Sequence, residues 1–378
     1  MQPTKQHFQQ QNFKEIDFPT EIAAIIDRIK AIQPERYARS RNSAGGAVTK
    51  LSPYISRGVI STRKVYTAIE SSGIPWEKAK KLIQELAWRD YWQQVWIYKR
   101  DGIHKDLKRP QHPVRNYEIP SSVISAQTGI NAVDEAIQGL YNSGYMHNHM
   151  RMYVASICCN IAQCHWSEPA KWLYAHLLDG DIASNQLNWQ WVCGSNANKK
   201  YYANQDNINK YWKSNQKNTF LDVDYDSFEG MNIPTNLQLS QKFNMHPPIV
   251  TETESELENS KITVVYNYYN LDHDWMTELE CQRVLLIEPS IFKRFRISQK
   301  CMRFMVELAQ NIPNIQIFVG EFSALKKKVG SANIHFKEHP LNAHYSGIAH
   351  PREWLSDTKG YYSSFFGFWK KCEKQIRW

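Results

Sequence analysis

Residues 144–191 read GYMHNHMRMYVASICCNIAQCHWSEPAKWLYAHLLDGDIASNQLNWQW, and polar groups recur there at the spacing that a helical core reserves for apolar ones. Asn148, Arg151 and Met152 stand at i, i+3 and i+4, so they share one helix face. Asp181, Asn185 and Trp189 stand at i, i+4 and i+8 and make a second face. A row of acid, amide and indole seldom faces a plain core, because every buried polar group needs a partner. Such faces are either solvated helix surfaces or the walls of a large polar–aromatic ligand site. Spacing alone leaves both open.

The chain of 378 residues has room for one large domain or two ordinary ones. It is 42% hydrophobic and carries thirteen tryptophans, most of which aromatic packing in a helical protein explains. The net charge of +9 is a mild bias toward a polyanionic partner. No run of apolar residues is long enough to span a membrane and no signal-peptide pattern opens the chain, so a cytoplasmic monomer is expected. Seven cysteines, odd in number and without any C-x-x-C, argue against a disulfide framework and against a metal centre. Buried thiols acting as small hydrophobes are expected instead.

Taken in order, residues 1–34 read as a polar tail and a short helix with Ile22, Ile25, Ile26 and Ile29 on one stripe. The loop that follows has Gly45–Gly46, which lets backbone approach a ligand closely, and hydroxyls at Thr49 and Ser52. Ser61 is placed to cap a helix starting at Thr62. Hydroxyls and free N–H groups at helix starts suit a pyrophosphate. Residues 76–100 read as a helix carrying Glu85, Trp88, Arg89, Trp92 and Trp96 along one row, with an intrahelical Glu85–Arg89 pair as the plain reading. A basic stretch with Lys105, Lys108, Arg109 and Arg115 precedes a helix over 129–143. Residues 213–260, with the acidic run TETESELE, read as a linker between two separately packed bodies. From 261 the grammar changes to short apolar runs, ITVVYNYY, RVLLIE, IQIFVG and NIHF, alternating with helical patterns. That is a small parallel α/β domain over 261–378, closed by an aromatic C-terminal helix. The fold class expected is mainly α: a large helical domain over 35–212, the linker, then the α/β domain.

The words MHNHMRM, Trp166 and LLDGDIASNQLNWQW, with ELAWRDYW at 85–92 and TKLSPYI at 49–55, resemble the FAD-binding domain of the photolyase/cryptochrome family in order and spacing. The likeness covers residues 35–212 well and 284–340 weakly, without the family's usual N-terminal antenna domain in front. It implies a U-shaped FAD, its phosphates held by Tyr37, Thr49, Lys50, Leu51 and Ser52, the last four partly through backbone. Arg89, Asn148, Arg151, Asp179, Asp181 and Asn185 would surround the flavin, Arg151 and Asp179 as an ion pair and Asn185 at N5. Val48 stands where a hydroxyl is usual, and His149 where the family often has Arg.

The same resemblance implies light-driven electron donation from reduced FAD to a cyclobutane pyrimidine dimer flipped out of DNA. Glu85, Trp88, Asn148, Met152 and Trp191 match the residues that meet the dimer. Trp189 and Trp166 match the inner members of an electron-transfer chain; the outer one has no counterpart, Tyr117 being the nearest aromatic. A DNA-contacting segment after Trp191 is missing, with Lys199 and Lys200 as possible substitutes and single-stranded DNA as the preferred substrate. The alternatives are a cryptochrome-like blue-light sensor without repair, and a helical nucleic-acid-binding module that has lost its flavin.

Overall fold

The computed structural model describes residues 18–250, 257–259, 261–330 and 333–378. Helices α1 (Ile22–Lys30) and α2 (Pro34–Ser40) lead through a loop to α3 (Ser52–Ser56), α4 (Thr62–Glu70) and the long α5 (Trp76–Lys99). A 3-10 turn (Arg100–His104), the two-residue strand β1 (Ile119–Pro120) and the single-turn α6 (Ser121–Ile124) follow. Next come α7 (Asn131–Ser143), α8 (Asn148–Ser156) running into a π-helical turn (Ile157–Ile161), α9 (Ser167–His176), α10 (Ile182–Cys193) and α11 (Gln205–Trp212). Strand β2 (Ser240–Gln241) pairs antiparallel with β1.

The helical pattern has local causes. Helix α7 stops at Gly144, whose φ of +72° and whose contact with the Leu178 side chain leave no room for a Cβ. Ser61 caps α4 by accepting from the Lys64 N–H. Helix α5 is buried on more than one side between Leu82 and Trp96, which marks it as a central helix. It packs against α2, α4, α10 and the C-terminal helix.

The α/β part comprises β3 (Thr263–Tyr266), β4 (Gln282–Ile287), α12 (Pro289–Arg294), α13 (Gln299–Ala309), β5 (Ile315–Val319), α14 (Phe322–Val329), β6 (Ile334–Lys337), β7 (Ile348–His350) and α15 (Phe365–Ile376). The five strands are parallel in the order β5-β4-β3-β6-β7, with Val265 opposite Val284 and Leu286 opposite Phe318. Residues of β3 and β4 are buried on both faces, as a covered parallel sheet requires. Strand β7 and helix α12 went unread in the sequence, being too short to carry a period.

Two expectations are corrected. The segment 213–260 is no free linker along its first part: Leu221, Phe228 and Leu237 are buried in the same core as Ile119 and Val154. Phe228 and Leu237 sit on 3-10 turns (Tyr225–Phe228 and Thr235–Leu237) and Leu221 on an irregular turn, which show neither a 3.6 nor a 2 period. Most of the acidic run lies outside the described residues, as does the tail up to residue 17.

Nor are there two separately packed bodies. One core joins Ile25, Leu51, Tyr54 and Ile83 to Leu285, Met305, Leu308 and Phe368. Polar ties cross the same junction. The Ser298 N–H donates to the Ala175 carbonyl at 2.7 Å, and Asn311 Nδ2 to that of Thr20 at 2.7 Å. Arg57, fully buried, lies 3.4 Å from the Tyr268 ring centroid after β3 and donates to the Gly180 carbonyl just before α10. Helix α15 docks on α5 through Phe368, Trp369, Cys372 and Ile376, with Trp369 stacked on Trp76 at 6.3 Å. No helix among the described residues is long and apolar enough to cross a membrane.

Candidate functional site

A cavity of about 610 Å³ opens between α2, the 48–52 loop, α5, α8 and α10. Its size lies within the range of cofactor pockets. Helix α8 brings Asn148, Arg151 and Met152 to it on one face, and α10 brings Asp181, Asn185 and Trp189 on another. Helix α5 adds Glu85, Trp88, Arg89 and Trp92. Tyr37, Thr49, Lys50, Ser52, Asp179 and Trp191 complete the sequence-predicted set that lines it.

The ionic groups are held firmly. Arg151 donates bidentately from one nitrogen to Asp179 at 2.8 and 3.0 Å, and its Nε is bonded to the Met146 carbonyl at 2.8 Å. Additional hydrogen bonds of this kind are what make a nearly buried ion pair tolerable. Asp181 caps α10 by accepting from the Ser184 N–H at 2.7 Å, and its second oxygen accepts from Gln93 Nε2 at 2.7 Å. Arg89 stands 3.5 Å from the same carboxylate. Gln93 is itself oriented by Arg352, whose Nη1 donates to its Oε1 at 2.8 Å. Asn185 donates one N–H to the Ala170 carbonyl at 2.8 Å, which fixes the amide and leaves its oxygen and second N–H to offer.

The phosphate-type end is cationic. Lys50 has a left-handed backbone (φ +54°), lines the cavity and forms no ion pair among the described residues. Burial and the neighbouring Arg28 both push its ammonium below the usual lysine range. An anion between them would favour the charged form further. Burial pushes the Tyr37 phenol well above its ordinary value, so it remains a neutral donor.

Several placements differ from the sequence reading. Leu51 points into the core, 1% exposed, and does not line the cavity. Gly45 and Gly46 do not line it either; a Cβ on Gly46 would sit 2.0 Å from the Ser40 carbonyl oxygen, so that glycine serves the close return of the loop onto α2. Ser61, besides capping α4, donates to Glu353 at 2.6 Å on the sheet side. Glu85 pairs with Lys81 at 2.9 Å and Arg41 at 3.5 Å instead of with Arg89. Trp96 turns away and meets His339. Trp166 is buried behind the cavity, its indole N–H on Asp106 at 2.7 Å. From Trp166 the rings continue outward to His165 at 5.5 Å and on to Tyr117, stacked on His165 at 4.6 Å and 64% exposed.

Arg41, Tyr145, His149 and Tyr201 line the cavity and were missed. Arg41 follows Tyr37 at i+4, a signal that was available had α2 been recognised as helical. His149 bonds the Asn42 carbonyl at 2.9 Å and Tyr201 at 3.3 Å, and burial lowers its pKa, so a neutral ring ties the 41–44 loop to the segment after α10. Lys199 is exposed and Lys200 half-buried, both outside the cavity. The cysteines are buried apart from the half-buried Cys281, and none of the seven is in a disulfide.

A helical cavity lined by a cationic end, an ion pair, a capped aspartate and tryptophans suits a flavin nucleotide. The family described as the FAD binding domain of DNA photolyase matches residues 82–283, more than half of the chain. The chain belongs to that photolyase/cryptochrome family, and its cofactor is FAD. The match begins after the 37–52 loop and runs into β4, taking in the segment expected to be a linker. A deoxyribodipyrimidine photo-lyase of Streptomyces griseus is 37% identical over 155 residues, 40% of this chain and 33% of the relative. A cryptochrome DASH of Synechocystis is 31% identical over 170 residues, 42% of this chain and 34% of the relative. The chain thus spans about a third of the length of the curated relatives it matches. A solved Synechocystis cryptochrome superposes with a TM-score of 0.46 at 25% identity, over 50% of this chain and 42% of that one.

The residues present fit FAD. Besides the cationic end, Ser184 lines the cavity with an Oγ that has no partner among the described residues, as an orphaned group awaiting a ligand would.

Proposed function

We propose that this chain repairs cyclobutane pyrimidine dimers in DNA by light, with FAD in the 610 Å³ cavity. The observation that carries the reading is one of company. Glu85, Trp88, Asn148, Met152 and Trp191, the residue types that meet a flipped dimer, line the same cavity as Arg151, Asp179, Asp181 and Asn185. Bound flavin supplies the light absorption and the transferable electron. The chain supplies the rest. Lys50, Tyr37, Thr49 and Ser52 would hold the phosphates, and Asn185 and the Arg151–Asp179 pair would border the flavin ring. Trp191, 37% exposed, and Trp88 give apolar faces to an extruded dimer, which costs less to flip out than intact bases because the damage has already weakened its stacking. Electrons from a reductant in solution would enter at the exposed Tyr117 and pass inward by His165, Trp166 and Trp189.

A second reading, light sensing without repair, is favoured by one feature. Phe365 covers Trp88 face to face at 3.6 Å, and Glu85 is already engaged by Lys81 and Arg41, so the lesion side is partly occupied. The deciding experiment gives reduced, flavin-loaded protein dimer-containing single strands and duplex under blue light and in darkness. Light-dependent loss of dimers, abolished in Glu85→Ala and Trp88→Ala, is expected. Absence of repair on both substrates would overturn the proposal and leave sensing as the function.

A further inference from the structure

The run GYYSSFFGFW at 360–369 contributes nothing to the wall of the flavin cavity. Its inner residues are explained by packing, for Phe365, Phe368 and Trp369 are buried against α5. The outer ones are not. Tyr361 stacks on Tyr98 at 4.6 Å and 17°, at the end of α5, while Tyr98 stays 61% exposed. Phe366 is 68% exposed at the start of α15. Leaving such rings in water forgoes roughly 1.5–3 kcal/mol each, so the exposed Tyr98 and Phe366, with the half-buried Tyr361 stacked on Tyr98, point to a use.

Cations are interleaved with these rings. Lys99 Nζ lies 4.6 Å from the Tyr361 centroid, Lys108 Nζ donates to the Ser363 carbonyl at 3.1 Å, and Lys370 is exposed one turn after Phe366. The run touches the cavity wall from behind, because Phe365, next to Phe366, is stacked on Trp88, which lines it.

We propose that Tyr98, Tyr361 and Phe366 form a stacking ledge for unpaired bases of single-stranded DNA, with Lys99, Lys108 and Lys370 on its phosphates. The inference rests on the reading that the cavity takes a lesion from DNA. Every base has a π-face, so an aromatic ledge holds single strands without regard to sequence, each base–ring stack contributing about 1–3 kcal/mol. Bases inside a duplex are stacked on one another and have no face to offer. The ledge therefore favours single strands, and the lysines serve both forms.

The test uses the full, flavin-loaded chain and fluorescence anisotropy with undamaged oligothymidylate, alone and annealed to oligoadenylate, at several salt concentrations. Combined Tyr98→Ser, Tyr361→Ser and Phe366→Ser should weaken single-strand binding about 10- to 100-fold, leave duplex binding within about 2-fold and keep the salt slope. Tyr98→Phe with Tyr361→Phe should bind as wild type. Lys99→Gln, Lys108→Gln and Lys370→Gln together should flatten the salt slope on single strands by about 0.7 per lysine. Unchanged single-strand affinity in the serine variant, or equal loss on both DNA forms, overturns the ledge. An isolated dimer dinucleotide, too short to reach it, separates the two readings. If wild type fails to repair the dinucleotide while single-strand binding still depends on the three rings, the ledge stands and the cavity reading falls.

Discussion

Asp181 serves two masters. One oxygen caps α10 and the other accepts from Gln93, which leaves the carboxylate fixed in the cavity wall. Asp181→Ala removes the cap, at about 1 kcal/mol, and leaves Gln93 and Arg89 without their acceptor at the flavin site. The expected outcome is protein that is folded by circular dichroism but purifies largely colourless. Stoichiometric flavin in that variant, read from the blue absorption bands, would show that the cofactor sits elsewhere. At this scale much of the site was legible. The spacing of Asn148, Arg151 and Met152, and of Asp181, Asn185 and Trp189, by itself puts each trio on one helix face. Tyr201 was not legible, because it lies beyond the end of α10 and reaches the cavity only on folding.

At the scale of the element, α5 carries a buried acid with a consequence for stability. Asp90 accepts from Thr62 of α4 and from the Leu355 N–H at 2.7 Å, and burial raises its pKa to about 6. The folded state thus holds this proton more tightly than the unfolded chain does. Its contribution is fully present below about pH 4, the unfolded value, and is lost as pH rises through about 6. Asp90→Asn should remove that loss, making the variant more stable than wild type at pH 7.5 by up to about 3 kcal/mol. Thermal melts of both proteins from pH 4 to 8 provide the check. A gap that does not grow with pH would mean that Asp90 is ionised at little cost.

The whole molecule is held by a core that ignores the border between its two kinds of structure. Met305 and Leu308 of α13 belong with Ile25 and Leu51, and α15 closes over α5. A single cooperative unfolding transition is therefore expected, with loss of flavin colour and of far-ultraviolet ellipticity at the same denaturant concentration. Two resolved transitions would show that the sheet and the helical part fold independently.

Periodicity within a helix is a local property, and so the sequence by itself determined the long helix α5, the polar faces of α8 and α10, the parallel βαβ grammar and the family likeness. What it could not determine was where those pieces meet. The 213–260 segment looks like a linker because its buried residues Leu221, Phe228 and Leu237 follow no period, yet they bury as deeply as helix residues once the turns of the chain, 3-10 at Phe228 and Leu237, aim them inward. Gly46 looked like a ligand-facing glycine, and only the return of its loop to within 2.0 Å of the Ser40 carbonyl gives it a different task. The C-terminal aromatics read as a helix that must dock, but only the tertiary structure divides them into Phe365 on Trp88, Phe368 and Trp369 in the core, and Phe366 in the open. Contacts between residues hundreds of positions apart leave no periodic trace in the chain, and it is such contacts that turn a legible set of residues into a cavity.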